Sequence, residues 1–175
     1  MNNIEYKSPT ASNLSRTQIE QLARSFSKKI NYDYRKGNLE DLISNSESKI
    51  VYVDDFEELS NASITVDGEN EYTIRLSNFT NPELQIVSIA HELGHYVLHS
   101  RLGEIQIKAR FSREKTLVEK EADCFANELL MPEEDLRKSF AKNKSIFYLA
   151  SIFSVSPLTM YHRCSSLGLL NEYRK

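Results

Sequence analysis

Apolar positions along this chain follow two rhythms, helical towards both ends and alternating in between. Residues 1–13 are polar and irregular, which predicts a loose tail or a short lead-in. Ser15 can then cap a helix running to about Tyr32, in which Ile19, Leu22, Ala23, Phe26 and Ile30 recur at intervals of three and four. A short helix around Leu39 to Ser44 follows. The rhythm changes to period two in Ile50 to Val53, Ala62 to Val66 and Tyr72 to Leu76, predicting three strands, with Asp67-Gly68 as the turn between the last two. In the third of these, Tyr72, Ile74 and Leu76 share one face, and Thr73 and Arg75 the other.

The helical rhythm returns at Asn81. This residue can cap, Pro82 suits the first helical position, and Ile86, Ile89, Ala90, Leu93, Val97 and Leu98 supply an apolar surface. Gly94 lies inside this helix at a cost of about 1 kcal/mol relative to Ala, and a residue that small lets another backbone or a substrate come close. Residues 101–113 mix charges with a brief apolar alternation at Ile105 and Ile107, readable as a strand, a loop or a cover over a cleft. A second amphipathic helix begins near Val118, turns Ala122, Phe125, Ala126 and Leu129 inward, and ends at Pro132.

Beyond it, Glu133 to Ala141 predicts one more helix. Ser145 to Phe153 and Pro157 to Leu167 predict two short ones, joined at Ser154-Val155-Ser156 and stopped by Gly168. That pair resembles a helix-turn-helix unit. Its second helix offers His162, Arg163 and a few hydroxyls, a sparse set for reading base edges, so direct nucleic-acid contact is the minor reading and packing or protein recognition the leading one. The whole pattern predicts an α+β fold with a small antiparallel or mixed sheet, organised as residues 1–136 and a C-terminal helical segment, 137–175, packed on or adjoining them.

Composition narrows this picture without redrawing it. The 175 residues suffice for one substantial core, and 40% hydrophobic with 27% charged content is ordinary for a folded chain. No apolar run approaches the roughly 20 residues of a membrane span, and the first residues carry no signal-peptide core, so a cytoplasmic protein without membrane contact is expected. The two cysteines, Cys124 and Cys164, have no metal-binding spacing, and no disulfide is expected. The net charge of −3 hides an asymmetry. Ten acidic residues face one lysine across 38–71, whereas seven lysines and arginines face one glutamate across 137–175, a distribution able to orient a charged partner.

The chemistry concentrates in His91-Glu92-Leu93-Gly94-His95. On a helix the two histidines stand about 40° apart and about 6 Å along the axis, so both imidazoles can reach one ion. Glu92 is offset from them, placed to act on a water as general base; this is the HExxH arrangement of zinc hydrolases. A catalytic zinc needs a third protein ligand and an open position. The inward flank of the second helix offers one. Glu119 lies about 60° from Ala122 and about 20° from Ala126, whereas Glu121 lies about 100° off. Asp123, four residues after Glu119, can accept the other ring N–H of a ligating histidine. His99 continues the histidine row, as a fourth ligand, a group that stabilises an oxyanion, or a satisfied histidine near the helix end; His99 is carried with Glu92 as a candidate catalytic residue.

HELGHYVLH at 91–99 and EKEADCFANELLMP at 119–132 resemble the ImmA/IrrE family of zinc-dependent metallopeptidases, and the order of elements is similar over most of the chain. The resemblance implies a zincin-like catalytic portion within residues 1–136, Zn2+ held by His91, His95 and Glu119, and Glu92 as the catalytic carboxylate. Glu121 stays open as the alternative ligand, because it too precedes the Ala122-Asp123 pair. Members of that family cleave or inactivate helix-turn-helix repressors of mobile elements or stress responses, so the implied partner is such a repressor, as substrate. The rival readings are a non-catalytic regulator that binds a repressor or DNA, and a regulator associated with a toxin–antitoxin system.

Overall fold

The computed structural model describes residues 5–36, 38–44, 47–54, 62–110 and 116–170. The first helix, α1 (Arg16–Lys29), opens with a reciprocal capping box between Ser15 and Gln18. It buries Ile19, Ala23 and Phe26, while Leu22, assigned to the same stripe by spacing, is 38% exposed. A short α2 (Leu39–Ser44) leads to β1 (Lys49–Val53), β2 (Ala62–Gly68) and β3 (Glu71–Ser77). These match the three expected strands, except that β2 passes through Asp67 and Gly68 with a register shift between Val66 and Gly68, and the turn falls on Glu69 and Asn70.

A fourth strand, β4 (Ile107–Arg110), settles the ambiguous connection, of which residues 111–113 lie outside the described residues. The sheet order is β1-β3-β2-β4, with β1 parallel to β3 and the other pairs antiparallel. The mixed alternative therefore holds. Pairing of Ile64 with both Ile74 and Ala109, and of Val66 with Tyr72 and Ile107, puts these side chains on one buried face. Strands with a single apolar face need a cover, and α3 (Pro82–Gly94) packs against β2 and β3.

The stretch expected to be a loose tail or a short lead-in is attached where it is described. Lys7 bridges to Ile107 in parallel, with its N–H donating to Gln106 at 3.0 Å and its carbonyl accepting from Lys108 at 3.1 Å. Tyr6 donates to Asp67 on β2. The outer edge of β4 is thus partly covered by the chain's own N-terminal segment, which relieves its unpaired backbone groups.

α4 (Leu117–Leu130) packs on both α3 and α1, and α5 (Glu133–Lys142), α6 (Ile146–Phe153) and α7 (Pro157–Ser166) follow. An aromatic run passes through the core: Tyr72 of β3 meets Tyr96 at 4.5 Å between ring centroids, and Phe26 of α1 meets Tyr96 at 6.3 Å and Phe125 of α4 at 5.9 Å. The C-terminal helices dock through Phe153, stacked on Tyr34 at 4.5 Å, and through Arg163. Arg163 is buried, donating to Glu128 of α4 at 2.6 Å and to the Met131 carbonyl. α7 therefore keeps its arginine inside, which removes it from any base-reading surface. Cys124 and Cys164 are both free thiols. No helix among the described residues is long and apolar enough to cross a membrane.

Candidate metal centre

α3 starts where its cap dictates, with the Asn81 side chain accepting from the Leu84 N–H at 2.9 Å and Pro82 in the first turn. Its first turn is exposed and its end, Ser88 to Gly94, is buried. Beyond Gly94 the helix widens into a single π-helical turn, His95–His99, in which the Ser100 N–H donates to the His95 carbonyl five residues back at 3.0 Å. Such turns insert into α-helices frequently at functional positions. The sequence rhythm predicted an uninterrupted α-helix here.

Gly94 is what lets α4 cross at this level. A Cβ on Gly94 would stand 3.0 Å from the Ala122 Cα and 3.1 Å from its carbonyl oxygen, both backbone atoms. Of the two reasons considered for a small residue, close approach of a second backbone is the one realised. α4 is itself capped by Thr116, whose side chain accepts from the Glu119 N–H and fixes Glu119 in the first turn.

This crossing sets the Glu119 carboxylate against the two histidines. The His91 and His95 Nε2 atoms are 3.2 Å apart, Glu119 Oε2 is 3.2 Å from His91 Nε2, and Glu119 Oε1 is 3.6 Å from His95 Nε2. One donor atom from each of the three buried residues lies within 4.8 Å of the others. Asp123 Oδ1 lies 2.9 Å from His91 Nδ1, so the ring N–H sits on that side and Nε2 turns to the cluster. Glu121 goes elsewhere. Its carboxylate accepts from the amides of Ser12 at 2.8 Å and Asn13 at 3.0 Å and meets His99 Nε2 at 3.0 Å. His99 Nδ1 in turn faces His95 Nδ1 at 2.9 Å. Both ring nitrogens of His99 are thereby engaged within the protein.

The electrostatics follow from burial and partners. Burial opposes a charge on His91, but the Asp123 and Glu119 carboxylates outweigh it and push its pKa up to about 10. His95 is held well below the usual histidine range, by burial first and then by its two histidine neighbours. His99 is also lowered by burial, partly offset by Glu121. Burial works to raise Glu121, and the Ser12 amide and His99 reverse it to a net lowering. Glu92 is fully buried, pushed up to about 8 by desolvation, and neither of its oxygens has a hydrogen-bond partner among the described residues.

The donor set fits a divalent metal ion. Two imidazole nitrogens and a carboxylate converge, one imidazole is oriented from behind by Asp123, and the Asp123 and Glu119 carboxylates favour positive charge beside His91. The orphaned Glu92 carboxyl agrees, since a buried polar group without a partner costs about 1–3 kcal/mol and is kept where function uses it.

An HExxH helix beneath a small mixed sheet, completed by a glutamate from the next long helix with an aspartate four residues on, defines a zincin-like metal site. Residues 47–165 match the model of the IrrE N-terminal-like domain, and the chain belongs to the ImmA/IrrE metallopeptidase family. It is also similar to metallopeptidase ImmA of Bacillus subtilis (strain 168), with 30% identity over 101 residues. That alignment covers 57% of this chain and 59% of the relative, so the match spans less than two thirds of the relative's length.

Sequence reasoning had no hold on the partnership of Glu121 with the N-terminal amides. The row His91, His95, His99 was visible, but a π-turn has no marker in apolar spacing, and Ser12 and Asn13 lie more than 100 positions from Glu121. Only the position of Glu121, on α4 about 100° off the Ala122 direction, could have signalled a second task for it.

Proposed function

We propose that this chain is a zinc-dependent endopeptidase whose substrate is a helix-turn-helix repressor. The observation that carries the reading is Glu92, a buried carboxyl without a hydrogen-bond partner among the described residues, beside a cluster of two imidazoles and one carboxylate. His91, His95 and Glu119 would hold the ion, which when bound supplies Lewis acidity towards a carbonyl and towards water. Glu92 takes the proton of the attacking water and passes it to the leaving amine. Asp123 keeps His91 in the required tautomer.

The substrate class rests on family membership and on a surface suited to protein recognition. α6 and α7 expose Phe147 at 75%, Leu158 at 65% and Tyr161 at 50%, an apolar set better matched to a protein than to a phosphate backbone. Incubation with zinc and a cognate repressor should yield discrete fragments, and Glu92→Gln should abolish them while retaining metal. If Glu92→Gln still relieved repression in cells, with the repressor left intact, a non-catalytic binding regulator would replace this reading.

A further inference from the structure

We propose that His99 and Glu121, anchored on the backbone amides of Ser12 and Asn13, are positioning residues that hold His95 in the tautomer and orientation in which its Nε2 faces the metal position. The proposal rests on the metal-site reading above and assigns a task to the N-terminal segment and to the carboxylate that ligation leaves aside.

The argument is one of donors and acceptors. A neutral imidazole has one N–H and one lone pair, and which nitrogen carries the proton is set by the partner of the other. For His95 Nε2 to ligate, the proton must be on Nδ1, where the polar neighbour is His99 Nδ1 at 2.9 Å. That contact is a hydrogen bond only if His99 Nδ1 is the acceptor, which puts the His99 proton on Nε2. There Glu121 Oε2, at 3.0 Å, can only accept. Glu121 is held as a carboxylate acceptor by the Ser12 and Asn13 amides at 2.8 and 3.0 Å.

Proton positions are thus fixed in series from the N-terminal segment to the metal ligand. His91 reaches the same result in one step through Asp123, at 2.9 Å. Among the described residues His95 has no comparably close carboxylate at its Nδ1; the buried His99 is interposed and Glu121 stands one ring further out. The π-turn begins at His95 and ends at His99, so it spans the pair whose ring contact starts the series.

Two readouts test this on the full chain. Long-range 1H–15N imidazole spectra of the zinc-loaded protein should show His95 protonated at Nδ1 and His99 at Nε2. A His99 nitrogen with the shift of a metal-bound imidazole, or a His99 proton on Nδ1, would overturn the proposal. In zinc competition titrations, His99→Asn keeps an acceptor near the Nδ1 position and should stay within a few-fold of wild type. His99→Phe should lose about 10- to 100-fold, the usual effect of removing such a partner. A role in packing alone predicts the reverse order, because the site is buried and Phe fills it better.

Circular dichroism identifies any variant that fails to fold, in which case Glu121→Gln, at the far end of the series, carries the test: it should weaken zinc binding, and unchanged affinity would contradict the proposal. Wild-type protein that binds no zinc would bring down the metal-site reading itself, whereas zinc bound at full strength by both His99→Phe and Glu121→Gln would bring down this inference alone.

Discussion

At the scale of single residues, the site divides its carboxylates by environment. Glu119 faces two imidazole nitrogens, Asp123 stands behind His91, Glu121 is held by amides and His99, and Glu92 is buried without a hydrogen-bond partner among the described residues. Replacing Glu92 by Gln leaves the three converging donors untouched. Zinc affinity should therefore stay near wild type while cleavage of a repressor falls by about 100- to 10,000-fold, the contribution typical of a positioned general base. A paired measurement of bound zinc and initial rate checks this. That Glu119 rather than Glu121 would stand beside the two histidines was legible because helical angles separate them on one element. The occupation of His99 was not, because it depends on a turn geometry and on a segment distant in sequence.

At the scale of elements, the approach of α3 to α4 creates the cluster, and Gly94 sets how close they come. Gly94→Val would drive branched carbons into the Ala122 backbone, which stands 3.0 Å from even a first added carbon. Overpacking of this kind costs about 1–3 kcal/mol, and separation of the helices would draw Glu119 away from the histidines. Lower stability in urea together with weaker zinc binding is expected. A variant destabilised with unchanged zinc affinity would show that the helices adjust without moving Glu119. The helices, β2 and β3 could be read from periodicity and caps because each buries one face locally, whereas β1 is exposed or half-buried throughout. β4 could not, since its four residues alternate for too short a stretch and owe their strand conformation to pairing with β2.

At the scale of the whole molecule, the C-terminal helices are tied to the body by a buried ionic contact. Glu128 of α4 accepts from Arg163 of α7 and, at 2.6 Å, from Arg24 of α1, so one carboxylate joins three helices. Glu128→Ala would strand the buried Arg163 guanidinium at a cost of about 3–5 kcal/mol. We expect one cooperative transition in chemical denaturation, shifted to lower denaturant, as the signature of C-terminal helices folding with the remainder. Two separated transitions would instead mark residues 137–175 as an independent unit. The division at that point was drawn from the pattern of predicted elements, which says nothing about a buried pair formed between α4 and α7.

The account as a whole stands on three residues holding one ion, and a zinc competition titration of wild type beside Glu119→Gln tests that directly. One zinc per chain in the wild type and a loss of affinity of at least about 100-fold in the variant are predicted, because a carboxylate ligand has become a neutral amide. Equal affinity in the two proteins would contradict the site.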